Sequence, residues 1–173
     1  DAGVARVCTA SLAPSHGRGW LSHADRIALL GHMALPSAPR TAFLLAQRAT
    51  NLDTGSCAAW LLAGLAQEKL GFRDGARSAL KVVVQSPTAK PDEVMHAANM
   101  LARHKGDEAL ALLAAKKAFV ALGRPLSKAS QLLYIAQRGA DWPLAQSLTA
   151  QLSVAFRKGD FEKAWASPRT HLT

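Results

Sequence analysis

Gly71, Gly106 and Gly139 each close a run of helically spaced apolar residues, and each is followed at once by another such run. The separation of roughly 33 to 35 residues is the period of stacked helix pairs, units that cannot bury an apolar face alone and gain a core only from their neighbours. Such architectures present a broad surface of many side chains, which suits holding a partner better than enclosing a small substrate. Composition agrees with helices. The chain is 49% hydrophobic but only 6% aromatic, so its core must come from Ala, Leu and Val. Ala and Leu are the strongest helix formers, and Val82-Val83-Val84 is the main β-branched run. The expected fold is all-α, with enough residues for one real core.

Along the chain, residues 1–19 carry Pro14, Gly17 and Gly19 with no sustained period and read as an N-terminal segment. Residues 20–166 form the expected helical-repeat domain, and 167–173 a polar tail. From Ser22 the pattern Ile27, Leu30, Met33, Ala34 predicts a helix closed by Pro36 and Pro39, followed by a second over 41–52. The clearest unit has Ser56 as N-cap, runs through Trp60 and Gly64 to Leu70, and ends on Gly71 as a left-handed cap. Asp74 is expected to cap its mate, which carries Ala76, Leu80 and Val83 on one face and stops at Ser86-Pro87. Pro91 opens a helix expected to reach His104, and 107–122 pairs with it. A fourth pair is predicted over 127–138 and 141–156, then a last helix through Trp165, either a cap on the stack or half of a truncated unit.

Within residues 57–87, Trp60, Gly64, Ala76, Leu80 and Pro87 stand at the spacing of the tetratricopeptide repeat, and this unit resembles that family. The remaining units share its period, with Ala42, Ala49, Ala111 and Ala145 in the small-residue positions, but Met95 and Asn99 replace Trp and Gly in the third. The resemblance implies an α-solenoid of about four antiparallel helix pairs. Gly64 and Ala76 would let two backbones approach, while Trp60 and Leu80 would fill the space between pairs. It also implies a concave groove lined by the first helix of each pair: Leu61, Leu65, Glu68 and Lys69, then His96, Met100, Arg103 and His104, then Leu133 and Gln137. The expected partner is a protein or peptide held in that groove, with the chain acting as a scaffolding module. An alternative is a helical accessory domain of a larger enzyme, such as one making a polysaccharide or surface polymer.

Net charge is +9, which permits an anionic partner. Much of it complements helix dipoles, with acids near helix starts and bases near helix ends. Arg73, Arg77 and Lys81 form a basic stripe at helical spacing with Lys90 close behind, a candidate site for an anionic polymer. No aromatics interleave it, which disfavours nucleic acid. Asp53-Thr54-Gly55-Ser56 matches the aspartic-protease tetrapeptide, yet it joins two helical patterns, where these residues are turn and cap formers. His16, His23, His32, His96 and His104 make no metal-ligand spacing, and neither a catalytic residue nor a cofactor motif is assigned. Cys8 and Cys57 read as ordinary thiols. No apolar run is long enough to span a bilayer, so a soluble chain is expected, bacterial by its Ala, Leu and Arg richness and cytoplasmic or periplasmic. The Asp1 start leaves room for a preceding segment.

Overall fold

The structure, a computed structural model, describes residues 22–157. The N-terminal segment, Cys8, the last helix and the tail foreseen from sequence lie outside the described residues. Within them are eight α-helices: α1 (His23–Ala34), α2 (Pro39–Leu52), α3 (Cys57–Leu70), α4 (Arg73–Gln85), α5 (Pro91–Leu101), α6 (Glu108–Ala121), α7 (Leu126–Arg138) and α8 (Trp142–Arg157). Most consecutive helices pack on one another across short connections, and the described residues are all-α as expected. It forms two compact units, with the boundary between Glu93 and Val94 in the first turn of α5.

Local chemistry fixes most ends. Ser22 caps α1 by accepting the Asp25 N–H at 3.0 Å, and Ser56 caps α3 by accepting the Ala59 N–H at 3.2 Å. Gly71, at φ +83°, closes α3 with Gly71 N–H to Glu68 O and Phe72 N–H to Gln67 O, the paired bonds of a left-handed C-cap. Three expected boundaries are corrected. Pro39 opens α2 instead of closing α1, because its missing N–H lies in a first turn where it has no partner to lose. Asp74 lies inside the first turn of α4, and Phe72 holds the N-cap position. Helix α5 ends at Leu101, after which Arg103 and His104 make tighter bonds to Met100 and Leu101.

In the first unit α1 packs on α2 and α3, α2 on α3, and α3 on α4. Of the buried members of its core cluster, all but Ile27 and Leu62 are alanines. Alanine contacts bring helices close, and two glycines stand where an apolar side chain of a neighbouring helix lies against the backbone. A Cβ on Gly64 would sit 2.8 Å from Leu80 Cγ, and one on Gly31 would run into Leu62 Cδ2. Leu80 therefore packs onto Gly64 inside the α3–α4 pair. Trp60, expected to be buried between pairs, is half-buried against the α1–α3 core because its indole N–H must reach the Thr54 carbonyl at 2.9 Å.

In the second unit α6 packs on α7 and α7 on α8. Met95, Leu101, Leu132, Ile135 and Leu148 are its largest fully buried side chains. Arg138 Nε donates to Ala102 O at 3.2 Å, tying the end of α7 to the turn after α5. Lys116 Nζ donates to Asp141 Oδ2 at 2.5 Å, while Asp141 Oδ1 accepts the Leu144 N–H at 3.2 Å. These two bonds hold the Asp141 carboxyl below its ordinary pKa. At the α7–α8 turn the left-handed residue is Ala140 at φ +55°, and Gly139 is at φ −83°. Gly139 lies in close quarters instead, since a Cβ there would meet Leu112 Cδ2 at 2.9 Å and that side chain would have to shift.

Candidate functional site

Helix α1 sets its small face inward. Ala24, Ile27, Ala28 and Gly31 are buried, whereas Leu29, Leu30 and Met33 are 52%, 57% and 72% exposed. The pattern Ile27, Leu30, Met33, Ala34 does form a helix, but only Ile27 of the four is buried. The reason is steric: the alanine-lined face of α2, buried through Ala42, Ala46 and Ala49, admits a close partner and leaves no room for leucines. The same inversion on α2 leaves Leu44 exposed.

Leu44 borders a notch of about 370 Å³ formed by Arg40, Phe43 and Leu44 of α2 with Leu70 and Phe72 at the α3–α4 turn. Phe72 is 59% exposed. Its backbone N–H is held by the Gln67 carbonyl in the Gly71 cap, which places the residue at the notch. Among the described residues no hydrogen bond or ion pair engages the Arg40 guanidinium. Sequence reasoning missed these residues. The signal was present in α2, where alanines at 42, 46 and 49 define one face and Leu44 falls off it.

The groove residues inferred from the family resemblance are only partly available. Leu61 and Leu65 are buried in the first unit, because α3 is packed by neighbours on more than one side; they are corrected to core residues. Glu68 is half-buried and Lys69 exposed on the same helix. In the second unit His96 and Met100 share a face of α5 one turn apart, but Arg103 and His104 lie beyond the helix end, so the four do not form one helical face. Loss of water around the imidazole lowers the His96 pKa although the residue as a whole is exposed, and the charges of Lys128 and Arg103 add to it in that order. Leu133, half-buried, and Gln137, exposed, stand one turn apart on α7.

The basic stripe is less available than its sequence spacing implies. Arg73 is exposed at the start of α4, but Arg77 and Lys81 are half-buried and already have interaction partners. Lys90 lies outside the helix, at the edge of a polar recess of about 260 Å³ that also includes Asp25, Asp53, Cys57 and Glu93. Helix capping accounts for the polar groups there. Ser56 Oγ donates to Asp25 Oδ1 at 2.8 Å, Asp53 Oδ1 accepts the Gly55 N–H at 2.9 Å, and Glu93 Oε2 accepts the Lys90 N–H at 3.0 Å. The Asp-Thr-Gly-Ser stretch is thus a turn and cap. Cys57 is a buried thiol that donates to Ser86 Oγ at 3.2 Å, and a hydroxyl cannot act as the base a thiol nucleophile requires. Among the described residues no group of His, Cys, Asp and Glu could hold a metal ion, and no helix is long and apolar enough to cross a membrane.

Comparison with protein-family models, with curated proteins and with solved structures finds no match for this chain.

Proposed function

We propose that the chain is a protein-interaction module whose contact surface is the uncovered apolar face of its first unit. The observation that carries the reading is the inverted burial of α1 and α2. Alanines fill the core while Leu29, Leu30, Met33 and Leu44 stand in water, each more than half exposed. Fully burying such a side chain is worth about 1.5–3 kcal/mol, so a unit that leaves several of them exposed is suited to being covered by another molecule. Exposed apolar residues occur in the second unit too, including Leu113, Val120 and Trp142. Those of the first unit are favoured because one of them, Leu44, borders an apolar notch.

The test is capture from native lysate by the wild-type chain and by a variant carrying Leu30→Ser, Met33→Ser and Leu44→Ser. The variant should recover the wild-type partners at less than a tenth of the yield while keeping its helicity and melting profile. Equal recovery by both proteins would refute the reading.

A further inference from the structure

We propose that the notch between α2 and the α3–α4 turn receives a peptide segment of a partner protein in which a large apolar side chain is flanked by carboxylates, an inference that rests on the interaction reading above. The apolar half of this recognition comes from Phe43, Leu44, Leu70 and Phe72, and the volume of about 370 Å³ lies in the range of small binding pockets. The charged half comes from Arg40. It is the one charged residue lining the notch, and among the described residues its guanidinium has no partner.

Helix α2 supplies a second, independent reason for an anion. A helix start carries unpaired N–H groups and a partial positive charge, which side-chain caps and acids in the first turn normally offset. The start of α2 has no side-chain cap and no acid in its first turn, and it carries Arg40 there. Arg40 is exposed at this uncapped helix start and lines the notch, so an incoming carboxylate would meet a guanidinium with no first-turn acid of the helix competing for it. Exposed Lys69 and Arg73 flank Leu70 and Phe72 in sequence, with Asp74 the acid next to them. An acidic segment is therefore favoured over a basic one.

The experiment uses the full chain and three end-capped nine-residue fluorescein peptides, read by anisotropy. One has a central Leu-Phe pair flanked by glutamates, one the same pair flanked by lysines, and one a Ser-Ser pair flanked by glutamates. The glutamate-flanked Leu-Phe peptide should bind at least tenfold more tightly than either control, and more weakly as salt rises. Arg40→Glu should weaken that peptide at least tenfold and favour the lysine version; because an acid suits a first turn, this variant keeps its fold. Leu44→Ser should weaken both Leu-Phe peptides. Equal binding of the three peptides, or binding unchanged by Arg40→Glu, would overturn the proposal. Self-association of the chain in sedimentation that is abolished by Leu44→Ser would assign the notch to a second copy and overturn it equally. If no peptide binds while lysate capture still depends on Leu30, Met33 and Leu44, this occupant is wrong and the interaction reading stands.

Discussion

At single positions, backbone geometry and close approach decide what a residue is for. Gly64→Ala should lower stability by about 1–3 kcal/mol in urea unfolding, since the new methyl would meet the buried Leu80 side chain; no loss would mean that the helices are not so close. Ala140→Gly should act in the opposite direction. Ala140 holds a left-handed conformation, and relieving it should add about 0.5–1 kcal/mol after the entropy cost of glycine is subtracted. The sequence marked the helix end at Gly139 but gave no sign that the left-handed residue is the alanine after it, because an alanine in that conformation is written like any other. Titration can be placed at this scale too. The His96 pKa is lowered, so the folded protein binds this proton less readily than the unfolded chain does; its contribution is intact above about pH 6.5 and falls as pH drops through the folded value. Asp141 follows the same sign at lower pH, its stabilisation present above the ordinary carboxylate range and lost as acid protonates it and releases Lys116. His96→Gln should flatten the first of these slopes in melting temperature against pH, and an unchanged slope would assign it elsewhere.

At the scale of the helix, the elements were legible where caps and periodicity agreed. Ser22, Ser56 and Gly71 announced their helix ends, and the α4 face of Ala76, Leu80 and Val83 is buried as its spacing indicated. Which face of α1 turns inward was not legible. Hydrophobic periodicity ranks leucine above alanine, whereas a helix packed against alanines selects for small size, and size won. The two faces should respond differently to substitution. Leu80→Ala, at a fully buried site, should cost about 2–5 kcal/mol, while Leu30→Ser with Met33→Ser should change stability by only about 0.5 kcal/mol per site. A large loss from the second pair would show that those side chains serve the fold after all. The end of α5 was misplaced for a related reason: helix-forming residues continue past Leu101, but the turn toward left-handed Gly106 interrupts the hydrogen-bond ladder first.

For the molecule as a whole, the sequence conveyed the class of fold, which is readable from period and composition. It did not convey which large apolar side chains stay exposed. The groove carried over from the family resemblance draws on residues from both compact units, and it includes Leu61 and Leu65, which are buried. The notch depends on Arg40 and Phe72, far apart in sequence and brought together by tertiary packing, so no local motif could encode it. A positive net charge of +9 is consistent with an acidic partner without selecting one. The most direct measurement replaces Leu44 by a photo-crosslinking benzoylphenylalanine, and Gln146, exposed on α8 in the second unit, in a parallel chain. Irradiation in native lysate should give a discrete crosslinked protein from position 44, competed away by excess unlabelled wild-type chain, and none of that species from position 146. The same crosslinked protein from both positions, or from position 146 alone, would contradict the placement of the binding surface on the first unit.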